Sequence, residues 1–155
     1  MTEKSDYIEN CETALKDSGA RITKPRRAVI RCLSSADGAL TPREILEVIL
    51  KDKESEDIDQ VSVYRILETL SSLGLVHQVF PSGGYIACFH IRCDKKHHVL
   101  IRCSSCETTS ELDVPEETLS PMFWFLEKEV GFSPTGHVFQ VNGYCKDCAG
   151  NKKVG

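Results

Sequence analysis

Two cysteine pairs of identical spacing carry the most specific chemistry in this sequence, Cys103-Ser104-Ser105-Cys106 and Cys145-Lys146-Asp147-Cys148. Each C-x2-C knuckle offers two thiolates from one tight turn. Four such thiolates suit tetrahedral Zn2+ at Zn–S distances of about 2.3 Å, a closed structural site. A single C-x2-C could instead be a thioredoxin-like redox pair, but that motif opens a helix after a strand and occurs once. The duplicated knuckle points to structural zinc on Cys103, Cys106, Cys145 and Cys148. Its effect would be stability, since the ion ties the last strand of a small domain to its first.

A second donor set follows from strand register. Val76 to Phe80 and Tyr85 to Phe89 are β-prone runs joined by Pro81-Ser82-Gly83-Gly84, and a hairpin turning at Ser82-Gly83 puts His77 directly opposite Cys88. A turn centred in the first knuckle likewise puts His98 opposite Glu111. Two imidazoles, one thiolate and one carboxylate make a tetrahedral zinc set, half from the hairpin and half from the later strands. Each member also has a plainer reading, as an exposed histidine, a small buried hydrophobe or a solvated strand residue. A one-residue error in either turn would send a side chain to the other face. His97 points away from His98 on a strand, so its partners would be His137 and one of Glu116 or Glu117, a third metal site. His90 lies on the Cys88 face and reads as a surface histidine or a substitute ligand. Cys11 and Cys32 fall on apolar helix faces as core, and Cys93 has no matching partner.

The elements that must hold these residues are legible from periodicity. Tyr7, Cys11, Leu15 and Ser18 keep helical spacing with Gly19 placed to end the helix. Thr23 and Pro25 open a second helix carrying Ala28, Val29, Cys32 and Leu33. Thr41-Pro42-Arg43-Glu44 is a capping box that starts a third helix running to about Lys51. Ser62 can cap a fourth, closed by Gly74, with Val63, Ile66, Leu67, Leu70 and Leu73 on one face and Tyr64, Arg65, Glu68 and Ser72 on the other. Helices followed by a β-hairpin make a winged helix, a helix-turn-helix variant whose last helix enters the major groove. Strands then follow at Val99 to Cys103, Thr108 to Val114 and His137 to Val141. One helix interrupts them, with Ser120 and Pro121 as its cap and first position, Met122, Leu126 and Val130 facing inward, and Gly131 at its end. The fold class is α+β, with a winged-helix domain at residues 1–90, its wing and hinge at 76–90, and a zinc-stapled domain at 91–155.

Totals narrow the function. A chain of 155 residues divided in two leaves each part a thin core, which is where a metal staple is useful. Met1 to Asn10 is polar and acidic, so no secretory leader is expected, and no apolar run reaches the ~20 residues of a membrane span. A reducing cytoplasmic setting makes the eight cysteines metal ligands or core residues rather than disulfide partners. The net charge of −4 argues weakly against a protein that coats nucleic acid, so any DNA contact must come from a local patch. From Ser18 to Ala36 there is no acid, while Arg21, Lys24, Arg26, Arg27 and Arg31 are basic. A solvated helix face would look the same.

Taken together, Arg21-Ile22-Thr23-Lys24-Pro25-Arg26-Arg27, Val63-Tyr64-Arg65-Ile66-Leu67, His97-His98 ahead of the first knuckle, and Gly143-Tyr144-Cys145 at the second resemble the ferric uptake regulator family, most closely its zinc-sensing branch. The resemblance covers nearly the whole chain. It implies a homodimer that binds double-stranded operator DNA when its regulatory metal is loaded, with residues 91–155 as the dimerisation domain. By position, Arg65 would reach a purine edge and Tyr64 a base or backbone, while Arg21, Lys24, Arg26 and Arg27 would hold phosphates. The four cysteines match the family's structural zinc, His77, Cys88, His98 and Glu111 its sensor, and His97 and His137 its third site. Iron-type members carry Asp and His where Val99 and Leu100 stand here, and a sensor thiolate favours Zn2+ over Fe2+ or Mn2+. Cys88 also fits the peroxide-responsive branch poorly. The expected mechanism is a hinge closure in which the metal fixes the angle between two recognition helices. No membrane, small-molecule substrate or enzymatic activity is expected. The competing readings are an iron- or peroxide-responsive repressor, a dithiol oxidoreductase, and a zinc-ribbon module that binds constitutively.

Overall fold

The computed structural model describes residues 2–52, 58–89, 98–134 and 138–150, with the side chains of Thr2, Glu3, His98 and Val138 outside the description. The chain divides into two compact units, Met1–Cys93 and Asp94–Gly155.

In the first unit α1 (Thr2–Asp17), α2 (Lys24–Ser35), α3 (Pro42–Lys51) and α4 (Gln60–Ser72) precede a hairpin of β1 (Val76–Val79) and β2 (Gly84–Ala87). Thr23 caps α2 by accepting the Arg26 N–H. At α3 both halves of the capping box form: the Thr41 hydroxyl accepts from the Glu44 N–H at 3.3 Å, and the Glu44 carboxylate accepts from the Thr41 N–H at 2.7 Å. Helix α4 starts earlier than a Ser62 cap would place it, because the Asp59 carboxylate accepts the Ser62 N–H at 2.7 Å. A charged acceptor at the positive end of the helix outcompetes the hydroxyl. The apolar faces close on one core containing Tyr7, Cys11, Val29, Leu33, Ile45, Leu67 and Leu70.

The hairpin register differs from expectation. His77 pairs with Ile86, and Cys88 bonds across to Leu75 through its N–H at 3.0 Å. Pro81 has no N–H to extend the ladder, so pairing stops at Val79 and Gly84 and the turn takes in residues 80–83. A slip of two residues preserves the alternation of faces, so His77 and Cys88 are diagonal neighbours rather than opposite ones. Gly84 sits at a close approach, where a Cβ would stand 3.1 Å from Ala39 Cβ and force one of them to shift. That approach lets Leu40 pair with Tyr85 and joins the segment before α3 to the wing.

In the second unit β3 (His98–Cys103) is the centre of a sheet, with β4 (Thr109–Asp113) antiparallel on one side and β5 (Val138–Gly143) parallel on the other; α5 (Glu116–Lys128) and α6 (Lys146–Ala149) complete it. Here too the register is two residues from expectation: His98 pairs with Asp113, and Glu111 with Leu100. The cause is a longer turn, closed by Glu107 N–H to Cys103 O and Cys103 N–H to Thr108 O, with Glu107 at φ 63°. Helix α5 begins at Glu116, not at a Ser120 cap, and carries Pro121 inside it. Two acids in the first turn favour that start through the helix dipole, and the Ser120 hydroxyl bonds back to Glu116 O. No described residue of α5 is buried, and Val130, expected to face inward, lies beyond the helix and is exposed.

One face of the sheet is apolar and open. Register places Val99 beside Leu112 and Phe139, and Ile101 beside Val141; all but Val99 are exposed, as are Trp124 and Phe125 of α5. An apolar face of that extent marks an interaction surface.

Candidate metal and nucleic-acid sites

The four cysteines are brought together within the second unit, their sulfurs all within 4.8 Å of one another. A thiolate tetrahedron of radius about 2.3 Å has edges of about 3.8 Å, and Cys106 Sγ lies 3.8 Å from Cys145 Sγ. The two knuckles meet because β3 and β5 are adjacent and parallel, ending side by side at Cys103 and Gly143. Backbone N–H groups of Cys106, Cys145 and Ser105 hold the Cys103 thiol well below its ordinary range, at about 6. The Thr108 hydroxyl, 3.2 Å from Cys106 Sγ, lowers that thiol as well. Cys148 is pushed up to about 12 by its hydrogen bond to Cys145, the response of a cluster that cannot shed every proton without a cation among its sulfurs. Geometry and donor chemistry both fit Zn2+.

In the first unit a ring nitrogen of His77 and Cys88 Sγ lie within 4.8 Å of each other, and the two residues are 4% and 2% exposed. Such a pair is half of a zinc donor set. In the second unit Glu111 is half-buried on β4, on the sheet edge, in a position of the same parity as His98 on β3. Glu116 and Glu117 are exposed in the first turn of α5. His90, Cys93, His97 and His137 lie outside the described residues. Cys11 is fully buried and Cys32 half-buried.

Helix α4 buries Val63, Ile66, Leu67 and Leu70 and turns Tyr64, 51% exposed, and Arg65 outward. Arg21 and Lys24 are exposed near the start of α2. Arg26 donates to the carbonyl of Arg21, stiffening that loop, and the Arg27 guanidinium pairs with Glu12 of α1 at 2.8 Å. Nothing in the basic run signals that pairing, because Glu12 lies on the preceding helix, 15 residues before Arg27.

The ferric uptake regulator family model matches residues 17–132. The chain belongs to the ferric uptake regulator family. A ferric uptake regulation protein of Campylobacter jejuni is 27% identical over 156 residues, spanning 98% of this chain and 96% of its own length. A zinc uptake regulation protein of Mycobacterium tuberculosis is 28% identical over 131 residues, spanning 84% and 96%. The fold is shared with a zinc uptake regulator complexed with zinc and DNA, at a TM-score of 0.78 and 22% identity, with 95% of each chain covered. This member of the ferric uptake regulator family is thus a winged-helix unit followed by a small α+β unit.

Three supports of these sites in the family member are missed by sequence reasoning. Thr108 beside Cys106 and the buried Arg102, paired with Glu107 at 2.7 Å, brace the first knuckle from the turn. Their signal would be a hydroxyl and an acid just after a C-x2-C pair. Asp59 at the start of α4 is signalled by Asp-x-x-Ser. Among the described residues no helix is long and apolar enough to cross a membrane.

Proposed function

We propose that this chain is a cytoplasmic, non-enzymatic transcriptional repressor that binds operator DNA as a homodimer when a regulatory zinc site is loaded, with zinc uptake genes as its expected targets. Residues 1–90 act as the DNA-binding domain, their wing and hinge at 76–90, and residues 91–155 as the zinc-stapled dimerisation domain. The observation that carries the sensor reading is the buried imidazole–thiol pair His77 and Cys88 in the wing of a winged-helix unit. His98 and Glu111, from the dimerisation domain, complete the proposed set, and His97, His137 and one of Glu116 or Glu117 are the proposed third site. Zinc supplies a redox-inert tetrahedral Lewis acid that accepts thiolate, imidazole and carboxylate together.

Convergence of donors from two domains restricts the hinge between them and so the spacing of the two recognition helices in a dimer. Arg65 then reads a base edge and Tyr64 a base or backbone, while Arg21, Lys24 and Arg26 grip phosphate. Arg27, tied to Glu12, contributes mainly by holding α1 on α2. The open apolar sheet face supports the homodimer. A DNA-competent arrangement favoured by zinc must by linkage bind zinc more tightly on DNA, by the same factor.

An iron-responsive reading is favoured by the similarity to the Campylobacter jejuni ferric uptake regulation protein along nearly its whole length; Cys88 weighs against it. Titration of a dyad-containing DNA with the full chain, under graded chelation and with Zn2+ or Fe2+ restored, tests both. Zinc at submicromolar free concentration should restore binding and Fe2+ should not. Binding that survives removal of the weaker metal makes the protein a constitutive module, and full zinc response in Cys88→Ser removes the sensor assignment.

A further inference from the structure

The first helix is fastened to the strand end that carries Cys88 through one side chain. Tyr7 of α1 is 1% exposed, and its hydroxyl donates to the carbonyl oxygen of Leu75 at 3.0 Å. The same oxygen accepts the N–H of Cys88 at 3.0 Å. Leu75 thus spends one lone pair on the hairpin strand bearing Cys88 and the other on α1. Just past Cys88, the Phe89 ring lies against that of Tyr7, with centroids 5.2 Å apart and planes inclined 48°, inside the range of aromatic attraction. One buried residue therefore grips the chain on both sides of the thiol.

This is more than α1 needs in order to dock. Cys11 and Leu15, on the same helix, are fully buried in the core and anchor it by apolar contact. A phenylalanine at position 7 would fill the same space without desolvating a hydroxyl. The hydroxyl also meets the Cys11 thiol on its own helix, but the bond it makes outside α1 goes to the one carbonyl that also accepts from Cys88.

We infer that Tyr7 is a positioning residue for the Cys88 thiol, so that docking of α1 and zinc binding at the regulatory site reinforce each other. This rests on Cys88 being a regulatory ligand, as proposed above. Outer partners that orient a ligand change metal affinity about 10- to 100-fold when removed, and reciprocity requires zinc to stabilise α1 in return.

The test uses the full chain with its structural zinc retained. Zn2+ affinity of the regulatory site is measured by chelator competition for wild type, Tyr7→Phe and Leu15→Ala, together with amide hydrogen exchange along α1 with and without Zn2+. Tyr7→Phe keeps the ring and leaves Leu75 O bonded to Cys88. It should weaken zinc roughly tenfold with little change in metal-free unfolding, while zinc slows α1 exchange less than in wild type. Leu15→Ala loosens α1 while leaving the Tyr7 hydroxyl that bonds Leu75 in place, and should lower stability far more than zinc affinity. Unchanged zinc affinity in Tyr7→Phe overturns the proposal, and so does a loss that Leu15→Ala reproduces in full. Cys88→Ser separates the two levels: if it binds zinc as wild type does, the regulatory-site reading itself fails, whereas a null effect of Tyr7→Phe beside a damaged Cys88→Ser rejects only the positioning role.

Discussion

The four-cysteine cluster and the His77–Cys88 pair use the same soft donors, yet they differ in how much of a coordination shell one unit supplies. The second unit provides all four thiols from two turns joined by adjacent parallel strands, so a metal there has nothing to report except that the unit is folded. The first unit provides two donors, both buried and both on one face of a two-stranded wing, which is too few to close a tetrahedron. The cores differ in the opposite sense. The first unit has a continuous core drawn from every helix and both strands, whereas α5 of the second buries none of its described side chains and much of the sheet is apolar and open. A complete metal site belongs where the core is thin, and an incomplete one where the fold stands without it. The first is a staple; the second is free to act as a switch.

The largest effect should therefore separate the two. Cys145→Ser removes a ligand from the complete cluster, and since structural zinc contributes about 10–16 kcal/mol in small metal-dependent folds, it should release zinc, unfold the second unit and abolish the dimer. His77→Ala should leave the helical content, dimer and structural zinc intact while weakening zinc-dependent DNA binding by at least roughly 100-fold, more than loss of an outer partner costs. Metal content, circular dichroism and sedimentation on both variants check this. If His77→Ala also unfolds the protein, the wing pair is as structural as the knuckles and the contrast dissolves.

Much of this organisation was legible because it is local. The capping box at Thr41, the cap at Thr23 and the knuckles themselves are set by side chains within a few residues of the backbone groups they satisfy. Register was harder, since a hairpin's pairing depends on where its turn closes. Pro81 shortens one ladder and Glu107, in a left-handed conformation, lengthens the other turn. Both errors were of two residues, so the faces assigned to His77 and Cys88 survive while their exact opposition does not. The start of α5 was misread because proline is favoured at a first helical position, and two glutamates one turn earlier carry the opposing signal. The Arg27–Glu12 pair and the Tyr7–Leu75 bond were invisible, as they join residues that only the tertiary fold brings near.

The contrast sharpens on the DNA face, where the first unit should act alone. Arg65→Ala should cost about 1–3 kcal/mol and relax preference at one base position. Lys24→Ala should weaken all sequences alike and lower the dependence of log affinity on log salt by about 0.9. Neither should alter zinc content. Binding isotherms on matched and single-base-altered sites at several salt concentrations distinguish them, and equal losses on every sequence for Arg65→Ala would make it a phosphate contact.

The smallest effect concerns how far the first unit's stability is independent of metal. Thr41→Ala should cost about 1 kcal/mol, the usual worth of an N-cap. Glu44 titrates with that cap: bonds from the Thr41 hydroxyl and then the Thr41 backbone N–H hold its carboxyl below the ordinary value of 4.5. A depressed carboxyl contributes stability that is fully present above the unfolded value and is lost as pH falls through the folded one. Acid also strips zinc from thiolates, so the pH profile of wild type alone confounds the two losses. Glu44→Gln isolates them, because it loses zinc in the same way but has no carboxyl at that cap to titrate. The difference between the urea midpoints of wild type and Glu44→Gln should be constant at neutral pH and shrink below about pH 4.5. A difference that persists unchanged into acid would mean that the cap contributes no charge-dependent stability.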